Sequence, residues 1–157
     1  MTRRLIAFIL LFGPAAAALA ETLPCPSLSS AVQIGACPNE AELKYTFNGY
    51  CSDNARLYGK ASDTCTDYQQ YRSLKNTALW ETAGGTFHAY ISCDLPAASV
   101  KSAEATRISL AKQGKISQLV CDYRDGIVFT YRTRSECRLE GDGHCDSQGA
   151  ACKASCE

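Results

Sequence analysis

KISQLVCDYRDGIVFTYRTR, residues 115–134, sets two runs rich in β-branched and aromatic residues on either side of Asp125-Gly126. Asp-Gly between such runs signals a two-residue hairpin, because both turn residues then need positive φ. The reading is a strand over 115–124, a tight turn, and a strand over 127–134. A loop of that length sets Tyr123 opposite Val128, Asp122 opposite Phe129 and Cys121 opposite Thr130.

Working upstream, Gln113-Gly114 turns the chain into this hairpin from a strand over 104–112, where Ile108 and Leu110 alternate with polar neighbours. Residues 95–102 read as a loop containing Pro96. Thr77–Thr82 and Thr86–Cys93 form a second hairpin around Ala83, Gly84 and Gly85. Phe87, Ala89, Ile91 and Cys93 fall on one of its faces, and His88, Tyr90 and Ser92 on the other. Asp63 is a candidate N-cap for one main helix from Thr64 to about Asn76, with Cys65, Tyr68 and Tyr71 on one face and Leu74 adjoining it. Residues 51–60 hold helix formers, and Gly59 is placed to end a short helix. Glu42–Phe47 reads as a short strand closed by an Asn48-Gly49 turn. Residues 23–40 read as irregular, with at most one helical turn near 29–32. The tail after Glu136 is poor in large apolar residues and depends on disulfides. The fold class is therefore α+β: a small antiparallel sheet of four to five strands built from hairpins, with one main helix.

The first twenty residues read as a secretory signal peptide of bacterial type. Arg3 and Arg4 precede an apolar run from Leu5 to Phe12, and Ala18-Leu19-Ala20 supplies a small-x-small cleavage site. That run is too short to span a bilayer comfortably. Cleavage makes Glu21 the mature N-terminus, so no stable membrane insertion is expected afterwards. Removing these 20 residues from 157 leaves 137, the length of one domain, expected over 21–157. It also removes two of the 16 basic side chains against 16 acidic ones, for a formal charge of −2. That balance offers nucleic acid no electrostatic footprint.

All ten cysteines lie beyond the signal: Cys25, Cys37, Cys51, Cys65, Cys93, Cys121, Cys137, Cys145, Cys152 and Cys156. An even count behind a signal peptide predicts five disulfides in an oxidising compartment, periplasmic or secreted. Spacing does not dictate connectivity. For Cys121 the preferred partner is Cys137, 16 residues on, with Cys93 on the neighbouring hairpin as rival. The first pairing requires the chain after Ser135 to fold back across the sheet.

Trp80, Phe87, Gly114, Leu119, Cys121, Tyr123, Phe129 and Cys137 together resemble a group of small secreted bacterial proteins known only as domains of unknown function. The resemblance covers residues 80–137. It implies a small α+β secreted domain and carries over no catalytic residue.

Chemistry-bearing clusters are sparse. Asp142, His144, Cys145 and Asp146 crowd one loop, yet they lack zinc-ligand spacing and the glycine and glutamate of a calcium loop. No metal or cofactor is expected. There is no G-x-S-x-G or H-E-x-x-H, and paired cysteines leave no thiolate. Asp122 and Asp125 flank a turn and read as solvated. No catalytic residue is assigned. Eight tyrosines, at positions 45, 50, 58, 68, 71, 90, 123 and 131, are the most suggestive feature, as sheet packing or as exposed anchors for protein or sugar. Arg132, Arg134 and Arg138 form a small basic group on an edge. The expected function is an exported, non-enzymatic protein that binds another protein or a surface polymer. The alternative is a small secreted hydrolase or an enzyme inhibitor, with His88 or His144 at a pocket in the first case and an exposed loop in the second.

Overall fold

A computed structural model describes residues 20–59, 62–146 and 152–157. The signal-peptide reading of residues 1–19 lies outside the described residues. In chain order the described elements are β1 (Glu21–Pro24), β2 (Val32–Gln33), α1 (Glu40–Cys51), α2 (Asn54–Leu57), α3 (Ser62–Thr66), α4 (Tyr68–Lys75), β3 (Thr77–Glu81) and β4 (His88–Ser92). Then come α5 (Ala97–Ser102), β5 (Ala105–Gln113), β6 (Ile116–Tyr123), β7 (Val128–Thr133), β8 (Cys137–Glu140) and β9 (Lys153–Cys156). A 3-10 turn at Leu28–Ser30 precedes β2. The fold is α+β with antiparallel sheets and five disulfides. It has nine strands in two sheets among the described residues, rather than the four to five expected, and several helices rather than one.

The larger sheet has the order β2-β3-β4-β7-β6-β5, and the smaller β1-β9-β8. Both expected hairpins are present. Strict alternation on β6 turns Ser117, Leu119, Cys121 and Tyr123 inward. Trp80, Ala89, Ile91, Ile108 and Phe129 join them from neighbouring strands. Leu23, Ala154, Cys137 and Cys156 of the small sheet share this core, as do Leu28 and Val100. Each fully buried side chain of Leu or Phe size contributes roughly 1.5–3 kcal/mol by leaving water.

The central turn differs from expectation by one residue. Asp122 faces Val128 and Cys121 faces Phe129, so Arg124, Asp125 and Gly126 together form the loop, a 3-10 turn. Asp125 and Gly126 do hold φ values of 60° and 71°. The left-handed pair was therefore legible, and Arg124 was the extra residue in the loop.

Helices replace two readings near the start of the chain. Residues 42–49 are the middle of α1, not a strand and turn. A reciprocal capping box starts this helix: Asn39 Oδ1 accepts from the Glu42 N–H at 3.0 Å, and Glu42 Oε2 accepts from the Asn39 N–H at 2.8 Å. The expected helix over 64–76 is divided. Asp67, not Asp63, caps α4 through the Gln69 N–H at 2.9 Å. The expected loop over 95–102 contains α5, which follows Pro96.

The disulfides are Cys25–Cys121, Cys37–Cys93, Cys51–Cys65, Cys137–Cys156 and Cys145–Cys152. This corrects both pairings considered for Cys121. Cys121 points into the core halfway along β6, while Cys137 opens β8 in the other sheet, directly opposite Cys156. Cys93 reaches back to the segment after β2 instead.

The edges of the large sheet are short or partly covered. At one edge β2 is two residues long. At the other, residues 143–145 lie along β5: the Ile108 N–H donates to Gly143 O at 2.7 Å, and the Cys145 N–H to Thr106 O at 3.1 Å. Gly143 has a φ of 81°, and a Cβ there would lie 2.5 Å from Ile108 O. Gly143→Ala is therefore expected to cost roughly 2–3 kcal/mol from backbone strain plus a clash that no rotamer relieves. A denaturant melt measures it, and a change within 0.5 kcal/mol of wild type would contradict this close approach.

Candidate functional site

The strand alternation that fills the core leaves the opposite face of the large sheet to solvent. On β3, Leu79 and Glu81 point outward; on β4, His88 and Tyr90; on β7, Val128, Thr130 and Arg132. Leu79 pairs with Tyr90 and Glu81 with His88. His88 faces Thr130, and continuing that register sets Tyr90 beside Val128. Ile34 joins the row beyond Leu79, whose carbonyl accepts the Ile34 N–H at 2.9 Å. Four apolar side chains, Ile34, Leu79, Tyr90 and Val128, thus run from the end of β2 across β3, β4 and β7. Strand spacing of about 4.8 Å makes this row roughly 14 Å long.

Tyr90 is 75% exposed at its centre, and Ile34 and Val128 are also exposed. A shallow concavity of about 750 Å³ opens beside the row, lined by Tyr90, His88, Thr130, Tyr131, Arg132 and Glu21 among others. His88 Nε2 lies 3.1 Å from Glu81 Oε1. The face therefore combines an apolar row, an aromatic ring with a polar tip, and charges of both signs.

The remaining tyrosines are divided between lobes. Tyr50, Tyr68 and Tyr71 cluster with Phe47 among the helices, with ring centroids 5.2–5.7 Å apart. Arg56 lies over the Tyr50 ring at 4.3 Å. Tyr131 packs on Phe87, and Tyr123 against Phe129. Tyr45 and Tyr58 are exposed on the helical side. Sequence reasoning singled out the tyrosines without separating Tyr90 from the rest. The alternation on β4 was the signal that could have done so.

A second groove, of about 530 Å³, runs between α5 and the end of β6. Several of its polar groups are turned to structural work. Tyr123 donates to Pro26 O at 2.6 Å, Thr106 to Asp122 O at 3.1 Å, Ser102 to Ser99 O at 3.3 Å, and Arg124 pairs with Glu104 at 3.1 Å. Burial pushes the Tyr123 phenol well above the ordinary tyrosine range. Its folded-state value exceeds the unfolded one, so its contribution to stability is complete below about pH 10 and is lost as pH rises from there. Alkaline unfolding, followed by circular dichroism, is expected to begin at higher pH in Tyr123→Phe. An unchanged alkaline limb would contradict this role.

The two histidines are not brought together. His88 is on the open face, while His144 lies beside Arg107 at the β5 edge. In the Asp142–Asp146 loop, the Asp142 carboxylate accepts the His144 backbone N–H at 3.0 Å, and Cys145 is in a disulfide. Among the described residues no three His, Cys, Asp or Glu side chains gather in a metal-holding geometry. Asp125 lies at the hairpin tip, Asp122 is half-buried on β6, and Arg138 pairs with Glu157 at 2.8 Å. No described helix is long and apolar enough to cross a membrane. The five disulfides fit an oxidising compartment.

Compared with protein-family models, curated proteins and solved structures, the chain gives no match. Of the residues that suggested a resemblance to small secreted proteins, Trp80, Phe87, Leu119, Cys121, Tyr123, Phe129 and Cys137 are all buried. They bear on the core and not on a site.

Proposed function

We propose that this protein is an exported, non-enzymatic binding protein that engages another protein or a surface polymer through the open face of its large sheet. The supporting observation is Tyr90, mostly exposed at the centre of the Ile34–Leu79–Tyr90–Val128 row. An exposed tyrosine between aliphatic side chains of the two neighbouring strands has the composition of a binding hot spot. Export is supported by the disulfides. Glu81 beside His88 favours the hydrolase alternative, but among the described residues no hydroxyl or thiol is hydrogen-bonded to the His88 ring to serve as nucleophile. The Arg124-Asp125-Gly126 tip is a tight left-handed turn, unlike the extended loop of a substrate-mimicking inhibitor.

Tyr90→Ser combined with Val128→Ser should leave the melting temperature within a few degrees of wild type, because both side chains are already exposed. It should also release the protein from the cell-envelope fraction at least about tenfold more readily, equivalent to losing about 1.4 kcal/mol of binding. Tyr45→Ser, on the helical side, is the matched control. Equal retention of all three proteins would remove the face from the reading.

A further inference from the structure

Residues 36–59 and 62–76 lie between β2 and β3 as a helical excursion from the large sheet with its own packing, the Phe47–Tyr68–Tyr71 cluster and the Cys51–Cys65 bridge. Its two ends meet at the end of β4. The exit is held by hydrogen bonds: the Cys93 N–H donates to Asn76 O at 2.9 Å. The Asp94 carboxylate accepts from Arg72 at 2.9 and 3.1 Å and from Asn76 Nδ2 at 3.0 Å. The entry is held covalently, by Cys37–Cys93.

That bridge differs from the other four in access. Cys37 is exposed, whereas every other cysteine is buried or half-buried, and each of the other bridges has at least one buried partner. Exchange begins with a thiolate reaching a sulfur, so access decides which bridge reacts first. The Gln33 side-chain amide also donates to Cys37 Sγ at 3.6 Å, a contact that favours negative charge on that sulfur.

We propose that Cys37–Cys93 is a reducible latch, opened by a dithiol reductant, that frees the entry of the helical excursion from the sheet. One thiolate of the dithiol attacks Cys37 Sγ, forming a mixed disulfide and expelling Cys93 as thiolate, which takes up a proton. The second thiol, after losing its proton, attacks the reductant's own sulfur and expels Cys37 as thiolate, beside the Gln33 amide. The dithiol ends as a disulfide, and its two electrons have reduced the bridge. The Asp94 clamp keeps the exit attached, so the excursion swings and does not detach. Ile34, at one end of the open apolar row, lies three residues before Cys37, and its backbone bond to Leu79 is the first to loosen. The latch does not depend on what that face binds.

Limited reduction of the full exported chain with dithiothreitol, followed by alkylation and mass mapping, tests this. Cys37 and Cys93 are expected to be alkylated before any other pair. At that stage hydrogen exchange should show lost amide protection at Ile34 and Gly35, whose N–H groups donate to Leu79 O, with β6 and β7 unchanged. The Cys37→Ser/Cys93→Ser variant should reproduce the same pattern without reductant. Earlier alkylation of any other pair, or unchanged exchange after Cys37 and Cys93 are reduced, would overturn the latch.

Discussion

Replacing Cys25 and Cys121 together with alanine is expected to lower the unfolding free energy by about 4 kcal/mol, a fall in melting temperature of roughly 10–20 °C. The bridge joins the segment after β1 to the middle of β6 across 96 residues of chain, and in the chain-entropy view long closures stabilise most. It also lies inside the core: Cys121 is fully buried. Breaking it leaves only the shared core and the Tyr123 hydroxyl bond to Pro26 O to hold the small sheet's first strand against the large sheet. By contrast, Cys145–Cys152 spans seven residues, and its removal should cost less in the same denaturant series. If the two losses were equal, the long closure would not be what secures the two sheets.

Phe129→Ala should cost about 3–5 kcal/mol. Phe129 is fully buried on β7, lies opposite Cys121, and meets the Tyr123 ring edge-on at 5.9 Å. Truncation leaves a cavity at the centre of the large sheet, walled by a disulfide that cannot collapse into it. Val128→Ala, one residue earlier and on the open face, should cost under about 1 kcal/mol. The pair is a test of register as much as of packing. Under the two-residue loop first read from Asp125-Gly126, Phe129 faces Asp122; the three-residue loop sets it against Cys121. Comparable losses for the two substitutions would contradict the inward placement of Phe129.

The strands between 77 and 133 were legible because their periodicity is strong and their turns carry glycine and aspartate. The helix α1 was not, because Tyr45, Thr46 and Phe47 are strand formers and Asn48-Gly49 imitates a turn. The Asn39–Glu42 capping box was nevertheless present in the sequence and outweighs them locally. Strand β9, Lys-Ala-Ser-Cys, has no large apolar residue to announce it. It exists because Cys156 is bonded to Cys137 and Ala154 packs into the core. Connectivity was hidden for a related reason: Cys25 and Cys121 are brought together by the meeting of two sheets, which no local spacing records. The open face was legible in part, since alternation on β4 placed His88 and Tyr90 together. Its apolar row was not, because Leu79, Tyr90 and Val128 come from three separate strands and Ile34 from the segment after β2.

Site-resolved photo-crosslinking tests the central claim most directly. A photoreactive phenylalanine derivative is placed at position 90 on the open face, or at position 45 on the helical side, and the exported protein is irradiated in its cell envelope. We predict a discrete adduct from position 90, abolished by Val128→Ser, and none from position 45. Adducts from position 45 alone, or from both positions equally, would contradict binding through the open face of the sheet.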